Sequence, residues 1–179
     1  LALVAQSGAV CTALLDFAAP LPIGFSTVTS LGGSIDVGFG EVLEALVHDR
    51  QTDGILLYVE TVKDTRLFMS ALRQAARIKP VVVLKAGRYA EPVAGEDALG
   101  EPAIAPDAVF EAALGRAGTV RVRTYAQLFS AARILSVGRI PRGDRLAIVS
   151  NGHGPGVLAA DAARDAGVLL ATLAPATLA

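Results

Sequence analysis

Few positions in this 179-residue chain have the residue types and spacing for chemistry. Ser7 and Gly8 directly follow the apolar run Leu1 to Ala5, and helically spaced apolar residues resume at Ala9. That pattern reads as strand, tight turn, helix. Gly8 lets the backbone turn sharply or approach a ligand. Ser7 suits an N-cap, since its hydroxyl can accept from a free first-turn amide. A helix start at the end of a buried strand gathers unpaired N–H groups and the positive end of the helix dipole, which suit phosphate or carboxylate. An ordinary βα turn accounts for the same residues. Glu60 ends a second apolar run, Ile55 to Val59. It reads either as a carboxylate at the functional edge of a sheet or as a helix-start acid before Lys63. Gly32 and Gly33 end a β-branched stretch and suit a turn or a close ligand approach. A third glycine-rich turn, Asn151, Gly152, His153 and Gly154 within NGHGPG, opens another helical pattern.

The remaining reactive types are scarce. There are two histidines, His48 within a helical pattern and His153 in the NGHGPG turn. The single Cys11 excludes an internal disulfide and a cysteine-based zinc cluster, and its apolar neighbours make it a buried filler. Glu91, Glu96, Asp97 and Glu101 are scattered among prolines without metal-ligand spacing, so they read as solvated and no metal is expected. Lys85 and Arg88 could meet phosphate, although surface cations are the default.

These residues need a scaffold, and the pattern supplies one. Strands are predicted at Leu1 to Ala5, Gly24 to Leu31, Ile55 to Val59, Val81 to Lys85 and Thr119 to Val122. Helices are predicted at Ala9 to Phe17, Phe39 to Asp49, Lys63 to Ile78, Asp107 to Arg116 and Tyr125 to Val137. The continuous apolar runs are those of buried parallel strands. Pro80 stops the third helix. Residues 88–106 read as a long irregular loop, a kind usually functional or mobile. Alternating strands and helices call for an α/β fold with a parallel sheet covered on both faces, whose ligands lie beyond the carboxyl ends of the strands. Residues 138–142 read as a linker. The opening pattern then repeats, with a strand Arg145 to Ser150, a helix Val157 to Ala166 and a possible strand from Val168 to Thr172. Residues 143–179 are too few to complete a domain, so this second unit reads as truncated or docked on the first.

The chain is 53% hydrophobic and 18% charged with a net charge of −1, a globular composition that gives no electrostatic case for nucleic acid or an anionic membrane. No apolar run has the length of a membrane span. The start lacks a basic leader and a cleavage site, and it falls directly on a strand pattern. A fragment of a longer, cytoplasmic protein is expected.

Six stretches, in order, resemble the flavodoxin-like part of the ADP- or GDP-forming acyl-CoA synthetases, including the succinyl-CoA synthetase α chain: VAQSGAV, GFSTVTSLGG, DRQTDGILLYVE, KPVVVLKAGR, DAVFEAALGRAGTVRV and RLAIVSNGHGPGVLAADA. The resemblance implies a flavodoxin-like doubly wound parallel sheet over residues 1–137. It implies the start of a second, similar CoA-ligase domain over 143–179. Such enzymes pass a phosphoryl group through a loop histidine, using CoA, ATP/ADP and Mg. None of these cofactors is expected on the fragment alone. By the resemblance, Ser7 and Gly8 match the phosphate-facing helix start, and Glu60 matches the carboxylate that orients the histidine. The family loop reads approximately SHTGALAGSD. Counting back from Asp107 places Leu99 in the histidine slot, and leucine cannot carry phosphate, so no catalytic residue is expected here. The implied function is a degenerate, non-catalytic synthetase-like module, similar to those fused to bacterial protein lysine acetyltransferases. The implied partners are other domains of the parent chain (CoA-binding, ATP-grasp or acetyltransferase), with a homodimer also open. A fragment of an active ADP-forming acyl-CoA synthetase, with His153 as substitute, and a structural dimerisation module are the alternatives.

Overall fold

The computed structural model describes residues 1–89, 107–137 and 143–178. They fall into two units, Leu1–Gly138 and Arg139–Ala179. In the first unit the elements run β1 (Ala2–Ala5), α1 (Gly8–Ala18), β2 (Thr27–Ser30), α2 (Phe39–His48), β3 (Ile55–Val59), α3 (Thr65–Ile78), β4 (Val81–Lys85), α4 (Asp107–Ala117), β5 (Val120–Val122) and α5 (Tyr125–Ser136). All five strands are parallel, in the order β2-β1-β3-β4-β5. This is the flavodoxin-like doubly wound order, and it reverses direction between β1 and β3.

Two cores make the sheet double-sided. On one face Val4, Leu57 and Val83 pack under Leu43 of α2, Phe68 and Leu72 of α3, and Leu114 of α4. On the other, Leu3, Leu56 and Leu84 pack under Leu14 of α1 and Leu128 of α5. Every residue of β1 and β3 is buried, which is why both read as unbroken apolar runs rather than as alternating patterns. Each fully buried leucine contributes about 1.5–3 kcal/mol relative to an exposed one.

Element ends depart from the sequence expectation where side chains or ladders decide them. The second strand is shorter than Gly24 to Leu31, although Ser26 N bonds Leu1 O at 2.7 Å and Leu31 N bonds Ala5 O at 2.8 Å just beyond its ends. The third helix starts at Thr65 rather than Lys63, because the Asp64 carboxylate accepts from Leu67 N at 2.8 Å as the N-cap. At its other end Lys79 is extended, as a residue before proline prefers.

At the amino ends of the strands, polar groups close on one another. Lys79 is buried, and its ammonium donates to the carbonyls of Leu46, at 2.5 Å, and Asp49 where α2 stops. Ser26, Thr52 and Asp49 form a chain, with Ser26 and Thr52 hydroxyls 2.6 Å apart and Thr52 donating to Asp49 Oδ2 at 2.6 Å.

The second unit contains β6 (Arg145–Leu146), α6 (His153–Asp165), β7 (Leu169–Leu170) and α7 (Pro175–Leu178), with β6 and β7 parallel. The expected strand Arg145 to Ser150 ends at Leu146, and the expected Val168 to Thr172 shrinks to two residues. Each strand has a single partner, so the apolar residues beyond have no ladder to join; Val149 is 99% exposed. The helix begins at His153 instead of Val157. Pro155 is tolerated there because first-turn amides have no helical acceptor to lose. The expected linker 138–142 and most of the loop 88–106 lie outside the described residues. No described helix is long and apolar enough to cross a membrane.

α2 and α3 approach closely through Gly40, where an added Cβ would sit 2.5 Å from Leu67 Cγ. Gly40→Val must force the helices apart. The expected outcome is a loss of about 1–3 kcal/mol, read as a lower urea midpoint at unchanged slope.

Candidate functional site

The reversal between β1 and β3 opens a crevice at their carboxyl ends, the place where sheets of this kind bind ligands. Ser7 and Gly8 leave β1 there and Glu60 leaves β3, on neighbouring strands about 4.8 Å apart. Gly32 and Gly33 leave β2 on the other side of β1. The first unit thus gathers Ser7, Gly8, Gly32, Gly33 and Glu60 along one edge.

Ser7 is the N-cap of α1 by position, with extended backbone, but its hydroxyl makes no capping bond, contrary to the sequence expectation. Among the described residues none accepts from the amides of Gly8, Ala9 or Val10. These donors therefore remain available to an anion, with the helix dipole behind them. Gly32 has φ +53°, which explains glycine there by backbone direction.

Glu60 is held by its backbone. Gln6 is buried at the end of β1, and its Oε1 accepts from Glu60 N at 2.7 Å and Thr61 N at 2.9 Å. Gln6 Nε2 donates to Thr61 Oγ1 at 3.3 Å. From β4, Lys85 Nζ donates to Glu60 O at 2.6 Å and also to Ala86 O. Burial pulls the Lys85 ammonium below its usual range, against the opposing pull of Asp107. The Glu60 side chain stays exposed. Behind it, Tyr58 stacks on Tyr125 with centroids 6.1 Å apart, and burial, then Tyr125 and Glu60, push the Tyr58 phenol well above its ordinary value. Nothing in the sequence pattern singled out Gln6, although a glutamine between a buried strand and a Ser-Gly turn was a usable signal.

Lys85 and Arg88 are not free phosphate-facing cations. Arg88 Nε bonds Asp107 Oδ2 at 3.3 Å, and Asp107 also accepts from Arg121. Arg121, with a side chain only 4% exposed, further donates to Glu111 at 2.5 Å. This clasp joins the end of β4, the start of α4 and β5. The Arg121 hydrogen bond is the main reason Asp107 titrates below the usual carboxylate range.

His48 is in the last turn of α2. Helices here run opposite to the strands, so His48 lies at the amino edge, across the sheet from Glu60. Cys11 is buried on α1 and its thiol is pushed up by that burial, in keeping with a filler. In the second unit, Asn151 precedes the α6 N-cap Gly152, and exposed His153 and Gly154 form its first turn. Ser150 Oγ braces this turn, donating to Gly152 O at 2.8 Å. Leu99, Glu91, Glu96, Asp97 and Glu101 lie outside the described residues. Among the described residues no group of three or more His, Cys, Asp or Glu could hold a metal.

The sheet order, the switch-point crevice and the uncapped α1 amides agree with a match of residues 1–135 to the succinyl-CoA ligase like flavodoxin domain model. The chain belongs to that family. Over 170 residues this flavodoxin domain and its extension are 38% identical to the alpha subunit of an ADP-forming acetate–CoA ligase I of Pyrococcus furiosus, covering 95% of this chain and 37% of that protein. The ADP-forming acetate–CoA ligase I of Archaeoglobus fulgidus is 39% identical over 96% of this chain and 25% of its own length. Among solved structures, the dinucleotide forming acetyl-coenzyme A synthetase 1 of Ca. Korarchaeum cryptofilum superposes with a TM-score of 0.83 at 30% identity, covering 97% of this chain and 38% of that one. It has also been solved in complex with phosphate and ADP. The chain thus spans about a quarter to two-fifths of the length of these relatives.

Two substitutions test the site's framework. Gln6→Leu strands the Glu60 and Thr61 amides and is expected to cost about 2–4 kcal/mol by chemical denaturation, for two unsatisfied donors partly reached by water. Asp107→Asn leaves Arg121 with Glu111 alone and should cost about 2 kcal/mol at pH 7. Asp107 has a lowered folded pKa, so its contribution is full above the unfolded value near 3.9 and fades as pH falls through the folded value. The gap between wild type and Asp107→Asn in urea midpoint therefore narrows on acidification below about pH 4. A gap independent of pH would contradict the ion-pair role.

Proposed function

We propose that this chain is a synthetase-like module of a larger acyl-CoA-related protein, in which the β1/β3 crevice binds an anionic group without passing phosphate through a histidine. The observation that carries this reading is the placement of the imidazoles. His48 sits at the edge of the sheet opposite the crevice, His153 belongs to the other unit, and counting back from Asp107 without gaps puts Leu99 in the slot of the family's histidine. The uncapped amides of α1 fit a phosphate or carboxylate oxygen, and Glu60 beside them suits a partly protonated or cation-paired ligand. CoA, and ATP or ADP with Mg, belong on this reading to the whole protein. The parent is a protein lysine acetyltransferase fusion, with CoA-binding, ATP-grasp or acetyltransferase domains as the module's neighbours in a cytoplasmic protein. Residues 1–137 form the module, 138–142 the linker and 143–179 the opening of a second ligase-type domain.

A second reading, an active ADP-forming acyl-CoA synthetase, draws on the 38–39% identity to two ADP-forming acetate–CoA ligases along nearly the whole chain. His153, exposed at a helix start, is then the residue to test.

Phosphate transfer separates the two. With the intact protein and labelled ATP, the first reading expects no acid-labile, base-stable phosphoenzyme, no acyl-CoA from acid and CoA, and acetyl transfer from acetyl-CoA to lysine. A phosphoenzyme signal abolished by His153→Ala would establish the second reading instead.

A further inference from the structure

An exposed carboxylate stands one strand away from a row of unsatisfied amides and does not cap them. β1 and β3 pair with Ala5 opposite Tyr58, and a bond from Gln6 N to Tyr58 O at 3.3 Å carries the pairing past the strand end. Two residues further on, that register sets Glu60 level with Ser7, the N-cap of α1. A glutamate side chain is long enough to cross the strand spacing of about 4.8 Å. At a helix start a carboxylate gains from both the amides and the dipole. Yet among the described residues no bond joins Glu60 to the amides of Gly8, Ala9 or Val10.

The group that competes for this carboxylate is on the same strand. Residues two apart in a strand project to one face, which puts Glu60 with Tyr58 on the face covered by α1 and α5. Tyr58 is only 8% exposed, and its ring lies against Tyr125 at the start of α5, with centroids 6.1 Å apart and planes 17° from parallel. Packing thus fixes the ring, and its hydroxyl meets the side chains of Tyr125 and Glu60. Burial first, then those two neighbours, keep the phenol protonated well beyond its ordinary range. A protonated phenol beside an ionised carboxylate donates to it.

We propose that Tyr58 is a positioning residue of the crevice: its phenol holds the Glu60 carboxylate off the α1 amides and so keeps them open to an external anion. This rests on the crevice reading above and adds what stops the site from closing on its own glutamate. A carboxylate tethered this near would otherwise compete with any ligand at high effective concentration. The restraint costs little conformational entropy, because the Tyr58 ring is already ordered by its packing. The other charged groups near Glu60 do other things. Lys85 donates to its backbone carbonyl, Asp64 caps α3, and Arg123 pairs with Glu111 at 3.6 Å. Lys63 is exposed, and the single charged residue of α1, Asp16, lies near the far end of that helix.

The test uses the full 179-residue chain and sulfate, whose charge is constant across the carboxylate range. The amide resonances of Gly8, Ala9 and Val10 report both bound sulfate and any carboxylate that caps them. In the ligand-free wild type these resonances should move little between roughly pH 3 and 6, where carboxylates ionise. In Tyr58→Phe, which keeps the ring and its packing, they should move as Glu60 ionises, and adding Glu60→Gln should abolish the movement. Sulfate affinity near pH 7 should fall about threefold or more in Tyr58→Phe. It should be equal in Glu60→Gln and the double variant, since Tyr58 acts through Glu60. A purely structural Tyr58 would weaken binding equally with and without the Glu60 carboxylate. Far-UV circular dichroism and melting verify that each variant is folded. Amides indifferent to Tyr58→Phe, or a loss of sulfate affinity that persists with Glu60→Gln, overturn the proposal. Should sulfate fail to bind wild type while the Tyr58→Phe amides follow Glu60, the crevice reading falls and the restraint stands. Should sulfate bind all four proteins equally, the crevice reading stands and the restraint falls.

Discussion

Where parallel strands stop, the next amides and carbonyls lose their ladder partners, and in the middle of a sheet water reaches them poorly. Gln6 answers that constraint at the end of β3. Its side-chain carbonyl takes both amides that follow the strand, and its amide group reaches the Thr61 hydroxyl. Lys85 takes the Glu60 carbonyl from the opposite side. The Glu60 peptide is therefore bracketed by β1 and β4, with its exposed side chain beside the Tyr58 phenol. The strand-order reversal puts this bracket at the switch point between β1 and β3.

The two edges of the sheet have been given different electrostatic fates. At the amino edge, Lys79 caps the last carbonyls of α2, while Ser26, Thr52 and Asp49 consume one another's donors and acceptors. A buried ammonium there is tolerable because two carbonyls surround it. At the carboxyl edge, α1 begins without a capping side chain. The positive ends of the helices point to this edge, because a helix that joins two parallel strands must run back antiparallel to them. Free donors and the positive ends of the helices coincide at this edge, so the fold directs anion binding to it before any specific residue is considered.

Much of this was legible from sequence, for a reason visible in the burial pattern. β3 and β4 matched their predicted limits because both faces of those strands are covered, and a run of apolar residues ends where covering ends. The edge strand β2 was harder, since its residues are only partly covered and its ends depend on bonds to Leu1 and Ala5. The β6 run looked as strand-like as β1, yet pairs over two residues, because hydropathy records a residue's preference and not whether a partner strand is present. Site residues split the same way. Ser7, Gly8 and Glu60 were placed by their position after apolar runs. Gln6, and the Arg88–Asp107–Arg121 clasp, depend on which strands become neighbours, and no local pattern encodes that. The family itself was legible from six short stretches in order, where any one would have been ambiguous.

A helix N-terminus and a nucleophile make separable contributions to phosphoryl chemistry. The amides and dipole of α1 act on a bound anion whether or not an imidazole stands ready to attack it. Removing the imidazole takes away the covalent step and leaves the binding term, provided the scaffold persists. In this chain the strand order, the Gln6 bracket and the open helix start are all in place at the carboxyl ends of β1 and β3. Continued selection for catalysis would be one reason to keep them. The other is that the bracket also stabilises the sheet, since the Glu60 and Thr61 amides need an acceptor in any fold that ends β3 at this point. On the proposed reading, a module of this kind passes from transferring phosphate to sensing an anion by losing one side chain, because the groups that bind are the groups the fold must in any case satisfy.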